Sequence, residues 1–167
     1  MIESASLSQL AEIENGVLSG NDLSFESISI DTRTLSQGDL FIAIRGDSFD
    51  GHNYINQAEN AGCCGVVVEK GLDCSTPRLQ LNNTTHALGS IAGINRAAFK
   101  GTVFGLTGSS GKTTTKNMLA NILNLKAPTC ATEGNYNNEI GVPLTLLRIT
   151  EEHNFAVIEM GARAIGD

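Results

Sequence analysis

The segment Thr107-Gly108-Ser109-Ser110-Gly111-Lys112-Thr113 constrains this chain more than any other stretch. It follows an apolar run, Thr102 to Leu106, that reads as a strand, and it precedes a run from Lys112 to Leu125 that reads as a helix. A strand, a glycine-rich turn and a helix in that order make a phosphate loop. Gly108 and Gly111 let the backbone curl until successive N–H groups converge. The helix starting near Lys112 aims its positive dipole end at the same point. Lys112 adds a full positive charge, and the Thr113 hydroxyl can ligate Mg²⁺. The generic expression asks for Gly five residues before Gly111, where Leu106 stands; the narrower pattern T-G-x-x-G-K-T fits. An ordinary Gly/Ser turn with a surface lysine would leave the agreement of strand, loop, Lys-Thr pair and helix unexplained.

The rest of the chain reads as alternating strands and helices. Ser6 is placed to cap a short helix carrying Leu7, Leu10 and Ile13, with Gly16 as its stop. Strands are predicted at 27–30, 40–44, 65–69 and 78–81, with a polar loop at 46–51 and helices at 54–61 and from Thr84 or Thr85 to about Phe99. The run 40–44 is apolar on both faces, as a buried strand requires. After Lys100-Gly101 come strand 102–106, helix 112–125, strand 128–131 and an Asn-rich loop at 133–138. Helix 143–149, with Pro143 suited to its first turn, and strand 155–159 follow. The rhythm predicts parallel βαβ units. The expected fold is α/β: a small N-terminal α/β domain over 1–100, then a parallel-sheet phosphate-loop domain over 101–167. Three strands with two helices cannot cover both faces of a parallel sheet. The chain also stops at Ile165-Gly166-Asp167, just after a strand expected to be central. The 167 residues are therefore expected to be part of a longer protein.

Composition narrows the partners. The net charge of −7 repels phosphate backbones at long range, which argues against nucleic acid. A local nest of N–H groups can still bind a nucleotide's phosphates. Cys63, Cys64, Cys74 and Cys130 form no C-x-x-C pair and read as reduced cysteines of a cytosolic protein. No apolar stretch approaches the ~20 residues needed to span a membrane, and Met1-Ile2-Glu3-Ser4 does not begin a signal peptide. Cytoplasmic location, no membrane partner and a monomer are expected.

Glu159 closes the apolar strand Phe155-Ala156-Val157-Ile158. In a phosphate-loop fold, a carboxylate at the tip of a neighbouring strand can hold Mg²⁺ directly or through water. The competing reading is a solvated strand-end glutamate, and Gly161 favours a close-approach turn that leaves room for a ligand.

At this point the sequence resembles the Mur ligases, which join amino acids to UDP-N-acetylmuramic acid precursors of peptidoglycan. Thr107 to Thr113 matches that family's narrower phosphate-loop pattern. Gly134 to Leu147 (GNYNNEIGVPLTLL) and Ala156 to Ala162 (AVIEMGA) are similar to the member that adds D-alanyl-D-alanine. Upstream, Asp31-Thr32-Arg33, Gly38-Asp39-Leu40-Phe41, and Gly46 through Asp50-Gly51-His52 resemble the family's N-terminal UDP-binding domain.

The resemblance implies a three-domain enzyme of which the first domain and the start of the second are present. It implies ATP and Mg²⁺ as cofactors, and UDP-N-acetylmuramoyl-tripeptide and D-alanyl-D-alanine as substrates. The γ-phosphoryl group of ATP would convert a carboxylate into an acyl phosphate, which the dipeptide amine attacks. Lys112 and Glu159 would be catalytic, Thr113 and Glu159 would hold the metal, and Thr107, Gly108, Ser109, Ser110, Gly111, Lys112 and Thr113 would bind phosphate. Asn137 and Asn138 would face the γ-phosphate, or would simply shape their turn. Ser29, Asp31, Thr32 and Arg33, with Arg45, Gly46 and His52, would meet the UDP moiety. Arg33 is the best charge for a diphosphate, against the alternative of an ion pair with Asp31 or Asp39; His52 can equally brace its own loop. His86, His153, Lys116 and Lys126 are expected at the surface. The carbamylated lysine that the family uses at a second Mg²⁺ would lie beyond Asp167, so the 167 residues alone are expected to be inactive. Three other readings stay open: the relative that adds the third amino acid, a free-standing nucleotide or UDP-sugar binder, and a generic phosphate-loop kinase.

Overall fold

The computed structural model describes residues 1–46 and 49–161. The chain divides into two compact units, Glu3–Ser90 and a second formed by Met1–Ile2 with the described residues from Ile91 onward.

In the unit 3–90, β1 (Ala5–Ser6) leads into α1 (Leu7–Glu14). Ser6 caps the helix, its hydroxyl accepting the Gln9 N–H at 3.0 Å, and Leu7 and Leu10 are buried. Ile13, expected on the inner face, is exposed. Asn15 rather than Gly16 takes the left-handed position that ends the helix, at φ 52°. A short polar side chain tolerates that conformation. Gly16 is needed for a different reason: a Cβ there would lie 2.2 Å from the Leu81 side chain.

β2 (Val17–Ser19), β3 (Ser24–Phe25), β4 (Ile28–Ser29) and β5 (Leu40–Ile42) follow. A 3-10 turn at Gly51–Tyr54 then runs into α2 (Ile55–Asn60), β6 (Gly65–Val68) and β7 (Arg78–Gln80). α3 spans Thr84–Ala98. β1 pairs antiparallel with β3, and the five-stranded sheet has the order β2-β7-β6-β5-β4. Only the β2–β7 pair of that sheet is antiparallel. The parallel strands β5 and β6 are buried along their whole length, which explains their continuous apolar sequences. Phe41, Ala43, Val66 and Val68 pack with Ile55, Ala58 and Cys63. Burial pushes the Cys63 thiol up to about 11, so this cysteine is an inert apolar filler.

In the other unit, β8 (Thr102–Leu106), α4 (Lys112–Asn124), β9 (Thr129–Ala131), α5 (Gly141–Leu147) and β10 (Phe155–Glu159) form a wholly parallel sheet of order β8-β10-β9. β10 is thus the central strand, as its apolar sequence suggests. Phe99, Cys130, Ile149, Ala156 and Ile158 form the core, with Ile2, Val103, Val142 and Leu146 against it. Asn95 is fully buried here, and its side chain accepts the Ile2 N–H at 2.6 Å and donates to the carbonyls of Leu146 and Ile149 at 2.8 and 3.0 Å. No helix among the described residues is long and apolar enough to cross a membrane.

Candidate functional site

The register of the parallel sheet builds the main site. Leu106, the last residue of β8, lies beside Glu159, the last residue of β10. Both strands point the same way, so the phosphate loop leaves the sheet next to the Glu159 carboxylate. Crevices at the carboxyl ends of such strands, where the chain changes direction across the sheet, are where α/β folds hold ligands.

The loop is curled. Gly108 and Gly111 have φ of 146° and 74°, values that a side chain resists. Lys112 reaches back so that its Nζ donates to the Gly108 carbonyl at 2.7 Å. No side chain caps the start of α4, so its leading N–H groups face the loop without a side-chain acceptor. Ser109 and Ser110 are exposed on the rim, as is Thr107. An open concavity of N–H groups with one ammonium beside it suits an anion.

Glu159 is 1% exposed and is held from three directions. Its N–H donates to the Thr132 hydroxyl at 2.9 Å. Its Oε1 accepts from the Thr113 hydroxyl at 3.2 Å and from the Asn137 amide at 2.9 Å. Its Oε2 is buried and receives no hydrogen bond from the described residues. A buried carboxylate oxygen left over beside a threonine hydroxyl is a donor set suited to a hard divalent cation, so the residues present fit Mg²⁺. Among the described residues no group of three or more His, Cys, Asp or Glu could hold a metal alone.

The two asparagines of the 133–138 loop separate in role. Asn137 touches Glu159, and its carbonyl accepts the Gly161 N–H at 2.7 Å. Asn138 turns away; its Oδ1 accepts the Gly141 N–H at 2.8 Å, at the start of α5. Gly161 permits the first contact, because a Cβ there would approach the Asn137 carbonyl to 3.2 Å. Ala162, the last residue of the AVIEMGA match, lies outside the described residues, as do 163–167.

Sequence reading missed Lys116. Expected at the surface, it is 2% exposed; Nζ donates to the Gly134 carbonyl at 3.1 Å and stands 3.8 Å from Glu159 Oε2. The signal was available: Lys116, Leu119, Ala120 and Leu123 share a helical stripe, and that stripe faces inward. Lys126 is exposed, as expected.

The unit 3–90 carries the second group of candidates at the carboxyl ends of its parallel strands. Ser29 is buried at the end of β4, and its hydroxyl donates to the Asp31 carbonyl at 2.9 Å. Arg33 forms an ion pair with Asp31, its Nε 2.9 and 3.1 Å from the two carboxyl oxygens. The Arg33 side-chain and backbone hydrogen bonds hold the Asp31 carboxyl well below its ordinary value, at about 2. Asp39 is engaged elsewhere, by Ser27 and Ser36. Thr32 is half-buried between Asp31 and Arg33. Arg45 and Gly46 are exposed on the following loop, where Arg45 bridges to Asp50 and the Gly46 N–H donates to the Phe49 carbonyl at 2.8 Å. Asp47 and Ser48 of that loop lie outside the described residues. His52 is buried with both ring nitrogens in use: Nδ1 is 2.6 Å from Asp50 Oδ1, and Nε2 accepts the Glu69 N–H at 2.9 Å. A backbone N–H can only donate, so the ring proton sits on Nδ1 and faces Asp50. The imidazole therefore braces the loop that carries Arg45.

Comparison with known proteins follows the same division. A model described as the Mur ligase middle domain matches residues 106–167, and one described as the Mur ligase family, catalytic domain, matches 24–94. UDP-N-acetylmuramoyl-tripeptide--D-alanyl-D-alanine ligase of Escherichia coli (strain K12) is 44% identical over 164 residues, covering 98% of this chain and 36% of that protein. Its counterpart in Bacillus subtilis (strain 168) is 35% identical over 95% of this chain and 36% of its own length. Crystal structure I of MurF from Acinetobacter baumannii superposes with a TM-score of 0.87 at 38% identity, covering 99% of this chain and 37% of that one. MurF ligase from Thermotoga maritima in complex with ADP gives a TM-score of 0.77 at 35% identity, covering 84% and 33%. This chain thus spans about a third of the length of each of these proteins. With both models in chain order and relatives aligned across almost every residue, the chain belongs to the Mur ligase family.

Proposed function

We propose that this chain forms the UDP-substrate-binding unit and the ATP-binding core of a ligase that adds D-alanyl-D-alanine to UDP-N-acetylmuramoyl-tripeptide. The observation that carries the reading is the junction of phosphate loop and β10, where the Thr113 hydroxyl and the buried Glu159 carboxylate stand side by side. It supports ATP bound with its terminal phosphates in the 107–113 loop. Lys112, now turned onto Gly108, would transfer its ammonium to the phosphates, and the loop N–H groups would surround their oxygens. Thr113 and Glu159 would hold Mg²⁺, which when bound neutralises charge on the phosphates. Asn137 would keep Glu159 aimed, and Asn138 would hold α5 and the loop in place.

The chemistry is an activation. The tripeptide carboxylate takes the γ-phosphoryl group to give an acyl phosphate, the dipeptide amine attacks the carbonyl, and phosphate leaves. The chain's residues serve this by alignment and charge compensation. In the unit 3–90, Arg33 would exchange its Asp31 partner for a diphosphate, with Ser29, Thr32, Arg45 and Gly46 around it and His52 bracing the loop. The relatives' names and the 44% identity support this substrate pair. A cytoplasmic monomer, bearing no membrane or nucleic-acid partner, accords with the reading. The 167 residues alone would bind both nucleotides without completing the transfer.

Calorimetry of ATP–Mg²⁺ binding tests the site. Lys112→Ala should weaken affinity about tenfold to a hundredfold, the loss of one or more charge-assisted hydrogen bonds. Unchanged affinity in that variant would remove the foundation of the assignment.

A further inference from the structure

The reaction chemistry above leaves the second lysine of α4 unused. The Lys116 side chain is 3% exposed and the Glu159 side chain 1%. A buried ammonium persists only when paired, and this one has two partners. It donates to the Gly134 carbonyl at 3.1 Å, which ties it to the loop carrying Asn137. It stands 3.8 Å from Glu159 Oε2, within ion-pair range but too far to donate a hydrogen bond. The remaining groups on the carboxylate, Thr113 and Asn137, are uncharged. The pair is therefore electroneutral, while Oε2 keeps its lone pairs.

Such an arrangement sets terms for a divalent cation. A lone buried carboxylate attracts a dication strongly in a low dielectric, but an ammonium at the same range cancels most of that attraction. Nucleotide phosphates would restore the missing negative charge. Mg²⁺ sites built from one or two carboxylates plus substrate phosphates follow the same economy. We propose that Lys116 is a positioning residue, a built-in counter-cation that neutralises Glu159 so that a divalent cation enters only together with nucleotide phosphates. The inference rests on the assignment of Thr113 and Glu159 as metal-holding groups.

The test uses the 167-residue chain and Mn²⁺, followed by electron paramagnetic resonance, first without nucleotide and then with ATP. The wild-type chain should show no saturable Mn²⁺ binding below about 1 mM alone, and one bound equivalent with ATP. Lys116→Met removes the charge and keeps the stem. It should bind Mn²⁺ alone at least about tenfold more tightly than wild type, and Mn²⁺ should raise its melting temperature where it leaves the wild type unmoved. Lys116→Gln keeps a donor for Gly134 and should show the same gain, so it decides the matter if the methionine variant does not fold. Adding Glu159→Gln to either variant should abolish the gain. A lower melting temperature without metal is what any buried lysine would give; the metal-dependent recovery is the diagnostic readout. Tight Mn²⁺ binding by the wild-type chain alone would overturn the proposal, as would variants with the wild-type isotherm. Failure of ATP to bind would instead count against the phosphate-loop reading, and the comparison with Mn²⁺ alone would still judge Lys116.

Discussion

Asp31 and Arg33 hold each other just past the carboxyl end of β4. The Asp31 carboxyl, held down at about 2 against an ordinary 3.8, contributes stability that is complete above the ordinary value. That contribution is lost as pH falls through the folded-state value. Arg33→Gln should return the Asp31 titration midpoint toward 3.8 and reduce stability most above that pH, with the difference vanishing as pH falls to about 2. A carbon-13 carboxyl titration by NMR reads this directly, and a midpoint that stays near 2 would reject the pairing. Sequence could propose this ion pair but could not choose between Asp31 and Asp39, because that choice depends on Ser27 and Ser36 occupying Asp39. The same limit applies to Asn137 and Asn138. Adjacent and chemically identical, they differ only in which way the turn points them. Lys116 was misjudged because charge was weighed above its place in the Leu119–Leu123 stripe.

At the scale of elements, the loop 133–138 and α5 depend on one close contact. A Cβ on Gly141 would lie 2.5 Å from the Tyr136 backbone, which cannot yield as a flexible side chain would. Gly141→Ala should push the loop away from β10 and cost about 1–3 kcal/mol, and nucleotide binding should weaken as Asn137 loses its grip on Glu159. Urea unfolding and calorimetry check the two effects; a stable variant with intact binding would show that the contact is relieved elsewhere. Strand Phe155–Glu159 was legible to the residue because its continuous apolar run fits a central strand of a parallel sheet, and edge strand Thr102–Leu106, only half-buried, was legible from the glycine-rich turn that follows it. β1, β2 and β3 were not. Each has two or three residues, too short to show a period, and each is fixed by a partner distant in sequence. α5 begins at Gly141, ahead of the proline that drew attention to Pro143, because Asn138 supplies the acceptor that starts the helix earlier.

At the scale of the whole molecule, chain order and spatial order disagree at one point. Met1–Ile2 belong with the residues from Ile91 onward, not with the eighty-eight residues that follow them directly (Glu3–Ser90). Asn95 makes the connection by serving Ile2, Leu146 and Ile149 at once. Asn95→Ala leaves the buried Ile149 carbonyl and the half-buried Ile2 N–H short of a partner, while the Leu146 carbonyl keeps the Ile149 N–H, and should cost about 1–3 kcal/mol, measurable by denaturant unfolding. A loss below about 0.5 kcal/mol would mean that these two groups find other partners. The practical consequence concerns handling. A purification handle fused ahead of Met1, or a protease that trims the first residues, would disturb the unit that carries Glu159 while leaving its immediate sequence neighbours alone. During synthesis, moreover, Ile2 must wait for Asn95 to emerge from the ribosome before it finds its place.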